Sequence, residues 1–187
     1  MLKSVVFIDG SNFYHKLKEL SLQTGTKRTL LEFDYTGFIA WLTTGTELID
    51  IRYYVGAVKR SGGNQKSEEL YANQQKLFAK LQLHKIKLIA GHLIRHPDGT
   101  FHEKGVDVRL AVEMIRMARA NVYDRAYLLS SDTDLVAAVE EVRSLRKAVH
   151  YVGIAKGQSF GLTKASDDVR LLRHEDVDPF LPPVLLP

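Results

Sequence analysis

Apolar residues fall along the chain in two rhythms. Short, nearly unbroken apolar runs occur at Val5–Ile8, Ile49–Val58, Ile86–Ile94, Ala126–Ser130 and Ala148–Gly153. Each predicts a strand buried on both faces. Between them apolar residues recur at helical spacing, as Phe13, Leu17 and Leu20, then Phe38, Ile39, Trp41 and Leu42 behind a capping Asp34. Further helices are predicted from Leu70, Tyr71, Leu77, Phe78 and Leu81 on one face, from Val108, Ala111, Val112 and Ile115 within Val106–Ala120, and over Leu135–Leu145. Lys59–Ser67 is polar, basic and glycine-containing, which predicts a flexible loop, and Pro97-Asp98-Gly99 predicts a turn. Ser159–Leu172 reads as a loop with a short helix. The final ten residues hold four of the five prolines and predict no regular structure.

Strands alternating with helices predict an α/β fold with a mainly parallel sheet covered on both faces. No repeat or long linker divides the chain. One domain over residues 1–174 and a proline-rich tail over 175–187 are expected.

Composition narrows the class without naming a function. A chain of 187 residues, 45% apolar and 26% charged, suits a globular domain with a sizeable core. The absence of cysteine removes disulfides and thiolate metal sites. No apolar run approaches the roughly 20 residues of a membrane helix and no signal-peptide pattern opens the chain, so no membrane role and a cytoplasmic location are expected. Net charge is +4, rising to +7 for the body once the three acids after His174 are set aside. That balance suits a polyanionic partner, and equally a solvated basic surface.

The candidate chemistry lies where strands end. In an open parallel sheet, ligands bind outside the carboxyl ends of the strands. Asp9 follows Val5–Ile8, Asp132 and Asp134 follow Ala126–Ser130, and Asp107 opens a helix in EKGVDV. Each acid also has a purely structural reading: Asp9 and Asp132 as helix caps, Ser131 with Asp134 as a capping box, Asp107 as a first-turn acid. Convergence would be costly, since two carboxylates about 4 Å apart repel by about 4 kcal/mol at an effective dielectric near 20. Raised pKa values, basic side chains or a divalent cation must then compensate. An all-oxygen cluster suits Mg²⁺ or Mn²⁺.

The stretches FIDGSNFY at 7–14, EKGVDVRLAVEMI at 103–115 and LLSSDTDLVAAVEEV at 128–142 resemble the NYN domain family, in particular its LabA-like branch within the PIN-like nuclease superfamily. Ser159, Leu162 and Asp167 add a weaker match, and the resemblance spans roughly residues 4 to 172. It implies a three-layer α/β/α PIN-like fold and metal-dependent ribonuclease activity, with Asp9, Asn12, Asp107, Asp132 and Asp134 as catalytic residues. The four aspartates would bind Mg²⁺ or Mn²⁺, and hydrolysis would leave a 5′-phosphate. Ser130 or Ser131 would support phosphate or metal. The chain departs from the family at Glu113, where the family often has Asp, and at Ser131, where it has glycine. Glu113 lies six residues beyond Asp107, on another helix face, and is not expected to be a ligand.

Lys59, Arg60, Lys66, Lys104, Lys156 and Lys164 are candidates for tracking an RNA backbone, most simply a single strand. His92, His96 and His102 match no zinc spacing, and Met114 and Met117 read as core. A haloacid-dehalogenase-like phosphatase would need an acid where Ser11 stands. A non-catalytic RNA- or protein-binding regulator on the same fold is the competing reading, and a homo-oligomer is compatible with either.

Overall fold

A computed structural model describes residues 1–22, 30–56, 65–95 and 101–182, with backbone alone at 22, 66–67, 92–95 and 101–104. The elements run β1 (Lys3–Asp9), α1 (Gly10–Leu22), α2 (Tyr35–Leu42), β2 (Glu47–Val55), α3 (Gln65–Leu83), β3 (Lys87–Ala90), β4 (His92–Arg95), β5 (Phe101–Lys104), α4 (Val106–Arg119), β6 (Arg125–Leu129), α5 (Val136–Ser144), β7 (Ala148–Ile154), α6 (Phe160–Ala165), β8 (Asp168–Leu172) and α7 (His174–Val177). Six strands form one parallel sheet in the order β3-β2-β1-β6-β7-β8, and β4 pairs with β5 as an antiparallel hairpin. This is the expected α/β architecture.

Strand β1 shows why its sequence is apolar throughout. Val6 and Ile8 enter one core layer with Phe13, Leu17, Phe38 and Leu81, whereas Val5 and Phe7 enter the other with Leu110, Met114, Val139 and Leu162. Because successive side chains point to opposite faces, a central strand needs apolar residues at every position. Strand order reverses between β1 and β6, so the connections leaving these two neighbours diverge and open a crevice at their carboxyl ends.

Several expectations are corrected. Helix α4 buries Val106, Leu110, Glu113, Met114 and Met117. Val108 and Val112, expected on the core stripe, are 66% and 56% exposed. The polar Glu113 within the true buried stripe hides it from a reading of apolar spacing. In α3, Leu77 and Leu81 are buried but Leu70 is exposed. Ile86–Ile94 is two strands. After Ala90 the sheet ends with Gly91 N–H donating to Val55 O (3.0 Å), and His92 onward turns into the hairpin.

Strand β8 was not expected. Its partial exposure as an edge strand gives DVRLL little apolar signal. Val177 and Leu181 enter the core, and Asp178–Phe180 form a 3-10 turn with Pro179 at its start, where the missing N–H costs nothing. Lys66 and Ser67 belong to α3, not to a loop. Lys59, Arg60 and the predicted turn at 97–99 lie outside the described residues. Among the described residues no helix is long and apolar enough to cross a membrane.

Candidate active site

Asp9 ends β1 and is 5% exposed at the mouth of the crevice. The chain turns directly into α1 at Gly10, where a Cβ would stand 2.2 Å from the Tyr53 ring and 2.8 Å from Tyr54 O. Any larger residue would push the turn out of place. Asp9 Oδ1 accepts a hydrogen bond from Asn12 N–H (3.1 Å), and Oδ2 accepts from Ser130 Oγ (2.9 Å).

The same web reaches across the crevice into the turn after β6. Ser130 Oγ accepts from Asp132 N–H (3.1 Å), Asn12 Oδ1 from Ser131 N–H (3.0 Å), and Asp132 Oδ1 from Asp134 N–H (3.0 Å). The cap of this turn is therefore Asp132, and a box between Ser131 and Asp134 does not form. Ser131 needs no left-handed backbone, so the family's glycine is not required for the turn.

Asp107 arrives from a third direction. Gly105 has φ 84° with nothing within 4 Å of a would-be Cβ, so glycine is favoured there by backbone conformation and not by crowding. It sets Asp107 in the first turn of α4. Asp9, Asn12, Asp107 and Asp132 then share a cavity of about 320 Å³ with Ser11 and His15. The sequence pattern assigns neither Ser11 nor His15 to this site. The signal available was position, since Ser11 follows the turn and His15 lies one helical turn beyond Asn12. Asp134 is exposed and does not line the cavity.

The carboxylates oppose one another. Burial raises the Asp9 pKa, Asp107 and Asp132 add to the effect, and the bonds from Asn12 and Ser130 partly offset it. Asp107 is also raised, first by partial loss of hydration where it borders the cavity and then by Asp132 and Asp134. Among the described residues no lysine or arginine forms an ion pair with any of the four acids. Nor do any three described histidine, aspartate or glutamate groups gather closely enough to hold a metal ion between them.

A stability prediction follows from the raised Asp107. An acid whose folded pKa exceeds its unfolded value near 3.8 penalises the fold as pH rises through that interval, and fully above it. Asp107→Asn removes that penalty. Without divalent cations the variant is expected to melt above the wild type at pH 7.5, with the gap closing as pH falls toward 3.8. A gap independent of pH would show that Asp107 carries no electrostatic strain.

The other predicted residues divide. Backbone pairing places Lys104 opposite His92, at the end of β5 and two residues before α4. Lys156 and Lys164 are exposed, Lys156 in the connection after β7 and Lys164 on α6. Ser159 caps α6 through Leu162 N–H (3.2 Å), and Leu162 is fully buried. Asp167 joins Val149 N–H and Arg143 Nε at 2.8 Å each, so these three residues build the fold.

A parallel α/β/α sheet with acids gathered at its switch point defines the PIN-like class of fold. Within that class, the NYN domain profile matches residues 3–172, and the chain belongs to the NYN domain family, a PIN-like nuclease family. A solved structure of a protein of unknown function from Vibrio parahaemolyticus is similar over 97% of this chain and 96% of its own, with a TM-score of 0.70 and 21% identity. That likeness supports the fold. No curated protein matches the chain.

Proposed function

We propose that this chain is a divalent-metal-dependent ribonuclease that hydrolyses phosphodiester bonds of single-stranded RNA. One observation carries the reading. Asp9, Asp107 and Asp132 come from three separated segments to one cavity, where Asp9 and Asp107 resist ionisation and, among the described residues, no basic side chain pairs with them. The donors are all oxygen, which fits Mg²⁺ or Mn²⁺. Asp9, Asp107 and Asp132 line the cavity but stand too far apart to enclose an ion by themselves, so they would hold it partly through its own waters, with Asp134 beside them.

When bound, such an ion supplies a water of lowered pKa and neutralises charge on the phosphate and the leaving 3′-oxygen. The chain's own groups prepare the site. Asn12 N–H and Ser130 Oγ fix the two oxygens of Asp9. Asn12 Oδ1 is committed to Ser131 N–H, which leaves its NH₂ to meet a phosphate oxygen. Lys104, Lys156 and Lys164, with Lys59, Arg60 and Lys66, would contact phosphates along the strand. The LabA-like placement and a cytoplasmic location belong to the same proposal.

The spacing of the carboxylates favours one alternative, a non-catalytic RNA- or protein-binding regulator. End-labelled single-stranded RNA incubated with the full chain separates the two. Cleavage in Mn²⁺ or Mg²⁺ that stops in EDTA, with 5′-phosphate products, is expected. Binding without cleavage under any cation would leave the regulator.

A further inference from the structure

Phe160 leaves 79% of its surface in solvent, although it opens a helix that is firmly seated. Burying such a side chain is favourable, and folding leaves that unrealised. The seat does not involve the ring. Ser159 N–H donates to the Tyr151 hydroxyl (3.0 Å), and Ser159 Oγ shares a hydrogen bond with Thr133 Oγ1 (3.1 Å). At Gly161 a Cβ would meet Val136 and Thr133 at 3.0 and 3.1 Å, so α6 lies close against this turn. Thr133 stands between Asp132 and Asp134. Phe160 is thus held between two residues that bind α6 to the acidic turn, while its ring stays free.

The segment that carries Phe160 also carries two lysines, one on either side of α6's contact with the acidic turn in sequence. Lys164 lies one turn further along α6, at the i+4 spacing that places two side chains on one face. Lys156 precedes α6 in the same connection, and that connection is tied to α1 by Lys16 Nζ on Lys156 O (3.3 Å). A partner for this surface must present a flat apolar face with negative charge beside it. An unpaired nucleotide does so, because its base has a π-face and its phosphates flank it. A duplex keeps its base faces stacked internally.

We propose that Phe160 is a stacking platform for one base of a single RNA strand leading into the acidic cavity, with Lys156 and Lys164 at the flanking phosphates. The proposal rests on the ribonuclease reading and adds to it the residue that selects a single strand.

Fluorescence anisotropy of the full chain in Ca²⁺, with RNA of about ten nucleotides, tests it. Phe160→Ala should weaken single-stranded binding about tenfold and leave blunt duplex binding within about twofold. The slope of log K against log salt should stay unchanged, because stacking releases no counterions, whereas Lys164→Ala should flatten it by about 0.7. Phe160→Trp should retain affinity within about threefold, and its indole emission should be quenched by the single strand only. Equal single-strand affinity for Phe160→Ala and wild type would overturn the stacking role and leave the ribonuclease reading standing. Absence of RNA binding by the wild type would overturn both. The ring's exposure predicts unchanged melting for either variant, and loss of duplex and single-strand binding together would also overturn the proposal.

Discussion

Replacing Asp107 by Asn is expected to slow RNA cleavage by about 10²–10³-fold while leaving the fold intact. Asp107 is exposed at the start of α4, and none of the described side chains depends on it for a hydrogen bond or ion pair. The substitution therefore removes charge and little else. A cation acting as Lewis acid contributes several kcal/mol to the transition state. Losing one of its carboxylate ligands should cost about 3–4 kcal/mol, which is the stated rate factor. Single-turnover cleavage in saturating Mn²⁺ measures it, and anisotropy should show RNA affinity nearly unchanged. Asp134→Asn provides the contrast. The Asp134 side chain is off the cavity wall and reaches the site only through its charge on Asp107, while its backbone bond to Asp132 survives the substitution, so a loss of about tenfold or less is expected. If Asp107→Asn cleaves within threefold of wild type, or Asp134→Asn proves the more damaging, the cavity is not where chemistry occurs.

The central strands and Asp9 were legible in sequence for one reason. A strand with neighbours on both sides and helices over both faces must be apolar at each position, so its first polar residue marks its end. Val5–Ile8 followed by Asp9 is that signal, and Ala126–Leu129 followed by Ser130 repeats it, two residues before Asp132. Edge strands lack it. In β8 only Leu172 is buried, so the strand is specified by pairing with β7 and not by its own composition. A single glycine inside an apolar run reads as a weak strand position, whereas Gly91 marks the exit from the sheet. The Asp134 reading shows the limit of motif spacing. Aspartates two residues apart in a turn share a segment without sharing a direction, and the bond from Asp134 N–H to Asp132 uses the backbone of one to brace the side chain of the other. Which of the two faces the cavity depends on where α1 and α4 stand, and no local pattern encodes that.

Glu113→Ala should lower the melting temperature by about 6–12 °C, the largest stability change expected of any single substitution named here. Glu113 is 8% exposed on the buried face of α4. Its carboxylate accepts from the Tyr54 hydroxyl (2.8 Å), from Arg52 Nη1 and from Arg109 Nε (3.3 Å), and Asp50 holds the other side of Arg52 at 3.0 Å. Burial alone would raise the Glu113 pKa, but these three donors outweigh it and hold the carboxyl below its usual value of 4.5. Truncation leaves the buried Tyr54 hydroxyl and a half-buried guanidinium short of a partner. Breaking a buried pair costs about 3–5 kcal/mol, and because Asp50 still compensates Arg52 the lower figure applies. For a domain of this size each kcal/mol is worth about 2–4 °C. Glu113→Gln keeps the volume and an acceptor for Tyr54, so roughly half the loss is expected. Its sign with pH is fixed. A carboxyl with a depressed folded pKa stabilises above its unfolded value, and that stabilisation disappears as pH falls through the folded one. The gap between wild type and Glu113→Gln should thus be full at pH 7 and close below about pH 4.5. Calorimetric melts at neutral and acid pH would decide it, and a Glu113→Ala protein melting within 2 °C of wild type would refute the network's role. The consequence reaches the cavity as well. Glu113 ties α4 to β2 six residues, or about 9 Å along the helix, from Asp107. A folded Glu113→Gln protein should therefore cleave more slowly than wild type while binding RNA normally, because the helix that presents Asp107 is less firmly held.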